Sequence, residues 1–159
     1  MGAELLAALE HNPVAEALRL WRWAYPLASA AHVLGIALLF GAIVPLDLRL
    51  LGLRPRLPVA DLARALVPVA ACGVALALSS GLLLFLVEPA RYALTGLFQL
   101  KLALIALALL NILAVHRSRA WRRLTAGERD RTIRLWPGAA LSLSLWLSVI
   151  LCGRFIAYL

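Results

Sequence analysis

Lysine is almost absent from this chain. Of its 16 basic residues only Lys101 is lysine, and the rest are arginine. Cysteine is scarce too. Cys72 and Cys152 each lie in an apolar stretch without metal-type spacing, which excludes a cysteine metal site and leaves two small buried hydrophobes. Charge is sparse and unevenly placed. Only 15% of the 159 residues are charged, and the windows Trp23–Leu46, Ala65–Val87, Leu102–Val115 and Leu135–Gly153 contain no ionised side chain. With 64% hydrophobic residues and a mean hydropathy of +0.90, a soluble domain is excluded. Segments of alternating apolar residues are missing as well, which excludes a membrane β-barrel.

What remains is helical. A transmembrane helix needs about 20 apolar residues at roughly 1.5 Å of rise each. The first, second and fourth windows are long enough alone. The third reaches that length once Lys101 and part of Thr95–Leu100 are included. The sequence therefore predicts an all-α integral membrane four-helix bundle, with spans near 26–46, 65–87, 97–116 and 136–157 in one domain, 25–159. Residues 1–24 form an amphipathic interfacial segment. Asn12-Pro13 reads as an N-cap followed by proline at the first helical position, and Val14–Trp23 is expected as a helix on the membrane surface. Trp21, Trp23 and Tyr25 are aromatic-belt residues, and His11 is expected to be solvated. Glu4, Glu10 and Glu16 make this stretch a poor signal-peptide leader, so the first apolar segment is expected to be retained.

Arginine sets the orientation. Loop 47–64 holds four arginines and loop 117–135 seven, whereas 88–101 holds one arginine and Lys101. The two rich loops lie on one side and are expected to be cytoplasmic, with both termini outside. The net charge of +8 sits mostly in the third loop, and topology and anionic lipid account for it without nucleic acid.

Polar residues inside the spans fall into two layers. His32 lies roughly 9 Å past the aromatic belt, and Asp47 follows fifteen residues, about 22 Å, later. Lys101 opens the third span, and His116 follows at the same interval. His32, Lys101 and Arg154, with Arg91 at the rim, make an outer layer. Asp47, Arg49, Asn111 and His116 make an inner one. The inner layer reads as structural: Asp47 and His116 pair at helix C-termini, and Asn111 bridges helices. In the outer layer, Gly73, Ala77 and Gly81 give the second span a face of small residues. That face either admits a neighbouring helix or accepts a flat macrocycle beside a His32 imidazole, with Lys101, Arg154 and Arg91 facing two carboxylates. A lone lysine among arginines suggests a compact point charge, paired with such a carboxylate or with Glu88.

The stretches "HVLGIALLFGAIVPLDLRLLGL" (His32–Leu53) and "FQLKLALIALALLNILAVHR" (Phe98–Arg117) resemble a family of small, uncharacterised bacterial four-helix inner-membrane proteins. More distantly the chain is similar to HemJ-type protoporphyrinogen oxidases and the copper-resistance D membrane domain. The resemblance implies b-type haem, with His32 on the iron. The tryptophan-glycine-leucine and proline-arginine-leucine signatures of the HemJ type are replaced here by "FGAIVPLDLRL", so that oxidase activity is not carried over. Three expectations follow. One is a redox protein holding haem b and passing electrons between quinol (a quinone partner) and a periplasmic redox protein. One is a haem-free accessory subunit that holds a periplasmic protein at the membrane. One is a small transporter using His32, Lys101 and Glu88, for which four short spans leave room only in a homo-oligomer.

The orientation is testable with fusions. A reporter joined after Ala126 is expected to be active only in its cytoplasmic form and one after Leu159 only in its periplasmic form. The opposite pattern overturns the assignment of the two layers.

Overall fold

The computed structural model describes residues 12–53, 57–127, 135–156 and 158. His11 and the loop arginines Arg54, Arg56, Arg129, Arg131 and Arg134 lie outside the described residues. Every regular element among the described residues is a helix: α1 Pro13–Leu20, α2 Ala24–Leu50, α3 Val59–Val87, α4 Pro89–Ala93, α5 Gly96–Arg117, α6 Arg119–Thr125 and α7 Trp136–Ile156. Four of them, α2, α3, α5 and α7, are long and apolar enough to cross a membrane. The chain is an all-α, multi-pass membrane bundle.

The helix ends follow local rules. The Asn12 side chain accepts a hydrogen bond from the Val14 N–H at 2.9 Å, and Pro13 occupies the first turn, where no N–H is needed. α1 ends at Leu20 rather than Trp23, and Trp23 instead precedes α2. α2 and α3 run past the expected spans, to Leu50 and back to Val59, because charged Arg49 and Asp61 are tolerated in terminal turns near the membrane boundary. Gly52 stops α2. Its φ of +97° lets the Leu53 and Gly52 N–H groups return to the Leu48 and Arg49 carbonyls at 3.0 and 3.1 Å.

The spans are not a symmetric square. α2 packs along α3, α7 along α5, and α2 against α7, while α3 and α5 share no comparable seam. The order across the bundle is α3, α2, α7, α5. Its two ends are bridged at their tips. Phe85 stacks on Phe98 with ring centroids 5.2 Å apart at one end, and α6 meets α3 at the other. One core cluster, around Leu39, Ile43, Leu145 and Trp146, fills the middle. A second, around Leu46, Val59, Trp121 and Leu135, fills the arginine-rich end. α5 is the most outward-facing span: 6% of its apolar window is buried, against 28% in α2 and α7.

The tightest seam is α2–α3. Acyl chains are as apolar as leucine, so helices in lipid associate where their backbones can come close. A Cβ added to Gly35 would lie 2.6 Å from the Ala77 backbone nitrogen, and one added to Gly73 would overlap the Leu39 backbone nitrogen. Only hydrogen fits at either position. Gly73→Ala is therefore expected to cost about 1–3 kcal/mol by overpacking. Gly41 has nothing within 4 Å of its added Cβ, so Gly41→Ala is expected to be neutral or slightly stabilising. Thermal unfolding of both variants in one detergent checks the contrast.

Candidate functional site

His32 lies in the α2–α3 seam, one turn from Gly35. Its Nδ1 is 2.8 Å from the Ala77 carbonyl oxygen and 3.3 Å from Ser80 Oγ. A carbonyl only accepts, so Nδ1 carries the proton and donates. Ser80 Oγ itself donates to the Leu76 carbonyl, which leaves its lone pairs for the imidazole. In the neutral ring Nε2 is then an acceptor, and no hydrogen-bond partner holds it among the described residues. The ring covers Gly81, whose added Cβ would lie 3.0 Å from Cε1.

The small-residue face is thus filled from within the fold. Gly73 and Ala77 receive the α2 backbone at Leu39 and Gly35, and Gly81 receives the His32 ring. Of the two uses the sequence left open, the geometry takes helix packing. A flat macrocycle cannot lie on Gly73, Ala77 and Gly81 while α2 covers them.

Lys101 reaches the same half of the bundle from α5. It is half-buried against α7, with Nζ 3.1 Å from where a Cβ of residue 153 would be, so Gly153 makes the room for its ammonium. Glu88 is not its partner. The Glu88 carboxylate meets Arg91 at 3.1 Å on the exposed surface, in place of the expected Lys101–Glu88 pair. Arg91 makes that contact through one guanidinium nitrogen. Arg154 donates to the Tyr158 hydroxyl at 2.6 Å and lies over its ring at 4.9 Å. His32 sits in the α2–α3 seam and Lys101 against Gly153 of α7, while Arg91 and Arg154 are exposed.

The four residues of the inner layer go to four different places. Asp47, 7% exposed, lies beside Ser142 of α7, and its Oδ2 has no hydrogen-bond partner. Arg49 Nε donates to the Leu57 carbonyl at 2.7 Å and ties the α2–α3 turn down. His116 turns the other way. Its Nδ1 donates to the Ile112 carbonyl at 2.9 Å and its ring lies against Trp121 at 4.6 Å. The expected Asp47–His116 pair does not form: equal depth does not put two side chains on facing surfaces. Asn111 Nδ2 donates to the Gly138 carbonyl at 2.9 Å and joins α5 to α7.

Sequence reasoning missed Ser80, Ser142 and Gly153. The two serines carried a weak signal as hydroxyls inside apolar spans. Gly153 carried none, because its role appears only beside Lys101. Among the described residues no group of three or more metal-ligating side chains occurs.

No family model matches this chain, and neither the curated proteins nor the solved structures give a match.

Removing the Asn111 bridge gives a direct check on the α5–α7 seam. Asn111→Leu is expected to lower stability by about 1 kcal/mol, the scale of interhelical hydrogen bonds in membranes. A melting temperature equal to that of the parent protein would show the bond to be dispensable.

Proposed function

We propose that this membrane protein holds a b-type haem through His32, with Lys101 beside a propionate, as the resemblance to HemJ-type proteins implies. The observation that supports it is the bond from His32 Nδ1–H to the Ala77 carbonyl. Ligand histidines are oriented in this way, with the second nitrogen left for the metal. Such a group supplies a one-electron iron couple, suited to a redox step between a quinol in the bilayer and a redox protein outside. The chain's own part is narrower. Ala77 and Ser80 fix the ring, Gly81 gives it space, and Gly153 seats the ammonium. His32 and Lys101 fit the group. Arg91 and Arg154 contact Glu88 and Tyr158 on the exposed surface, and Gly73, Ala77 and Gly81 serve the fold rather than a macrocycle. The setting we infer is the bacterial inner membrane, with the arginine-rich loops cytoplasmic.

The covered small-residue face favours a second reading, a haem-free accessory subunit in which His32 and Lys101 are structural. Visible spectra of purified, haem-supplemented protein separate the two. In the haem reading the parent protein shows a Soret band, His32→Ala abolishes it, and His116→Ala, roughly 20 Å away across the bilayer, leaves it unchanged. Haem content per protein is expected to fall in Lys101→Arg and further in Lys101→Met, where no cation remains for the carboxylate. A parent protein without a Soret band establishes the accessory reading. Equal haem content in all three Lys101 proteins makes Lys101 a snorkelling anchor.

A further inference from the structure

The absent seam between α3 and α5 leaves a cleft at the arginine-rich end of the bundle. Its volume is about 380 Å³. Ala63, Val67 and Pro68 of α3 form one wall, and Trp121 and Thr125 of α6 form the other. Two basic side chains enter it, Arg64 and His116. We propose that this cleft binds the phosphodiester headgroup of an anionic membrane phospholipid, with an acyl chain running along the open gap between α3 and α5.

The chemistry follows from what each polar group has left to give. The His116 Nδ1–H is used on the Ile112 carbonyl, and the Thr125 hydroxyl donates to the Trp121 carbonyl at 3.0 Å. The guanidinium of Arg64 remains as the donor, since in the neutral His116 ring Nε2 carries only a lone pair. Arg64 meets Asp61 at 3.2 Å through one nitrogen, with both side chains largely exposed. A guanidinium has five N–H donors, and one exposed carboxylate does not exhaust them. Among the described residues the surrounding charge is mostly positive. Arg117 at the end of α5 and Arg119, Arg122 and Arg123 on α6 are all exposed, and Asp61 is the one exposed acidic side chain among the described residues at this end. Phosphate oxygens suit that field, and arginine binds them in fork geometry.

The apolar walls decide what kind of phosphate. A free ion would gain nothing from Ala63, Val67 and Pro68, whereas a lipid places its glycerol and first methylenes there. The cleft also lies at the right depth, where the terminal turns of α3 and α5 leave the apolar windows. The proposal is independent of any group at His32.

Full-length protein, stripped of lipid in a neutral detergent, is titrated with dioleoyl phosphatidylglycerol, dioleoyl phosphatidylcholine or inorganic phosphate, and native mass spectrometry reads the adducts. One phosphatidylglycerol is expected to bind roughly tenfold more tightly than phosphatidylcholine, as for one charge-assisted contact. Inorganic phosphate is expected not to displace it. Arg64→Gln is expected to abolish the preference, and Arg117→Gln, outside the cleft, to retain it. Equal binding of the two lipids by the parent protein overturns the proposal. So does displacement by phosphate, which marks a free-anion site, and so does equal loss in the two variants, which marks a diffuse basic surface.

Discussion

A helix surrounded by acyl chains gains little by exchanging them for the leucines of a neighbour, so association in a bilayer depends on how closely two backbones approach. Here that approach is made by Gly35 against Ala77 and by Gly73 against Leu39. The rest of the bundle takes its bearings from this contact. With the backbones that close, the His32 ring one turn along can reach the Ala77 carbonyl. Three turns in the other direction, Asp47 is turned toward α7 and Ser142. The α2–α3 pair also presents Leu39 and Ile43 to α7, whose Leu145 and Trp146 complete the central core.

The fold was legible in the sequence because its signals are one-dimensional. Runs without charge mark spans, Asn12-Pro13 marks a helix start, and arginine-rich loops mark one face. The third span shows how far this reaches. Its charge-free window is short of a bilayer, and the observed helix Gly96–Arg117 includes Lys101, as the required length implied. The site was legible only in depth. Rise per residue is constant, so spacing alone sets Asp47 about 22 Å along α2 from His32, and His116 the same distance along α5 from Lys101. Which way each side chain turns about its helix depends on the order of the neighbours. Nothing in the sequence places α3 and α5, adjacent in the chain, on opposite ends of the row. With that order unknown, Asp47 and His116 look like a pair, although one faces Ser142 and the other Trp121.

Glycine was the most ambiguous letter. Gly73 and Gly81 had two readings, a helix contact or a bed for a planar ligand, because an absent side chain records only that something comes near. Position by position the structure identifies what comes near: a backbone at Gly73, an imidazole at Gly81, an ammonium at Gly153 and nothing at Gly41.

The polar groups of α5 have a consequence for how the protein is made. Lys101 rests over Gly153, and Asn111 bonds the Gly138 carbonyl, so both depend on α7. Synthesis runs from the N-terminus, and α2 and α3 can close their glycine contact while α5 is still emerging. α5 then enters an apolar phase with an ammonium and an amide whose acceptor and seat have not yet been translated. Its low burial means that the α2–α3 pair offers it little shelter meanwhile. The polar groups of α5 thus gain their seat and their acceptor only once α7 has followed it into the membrane.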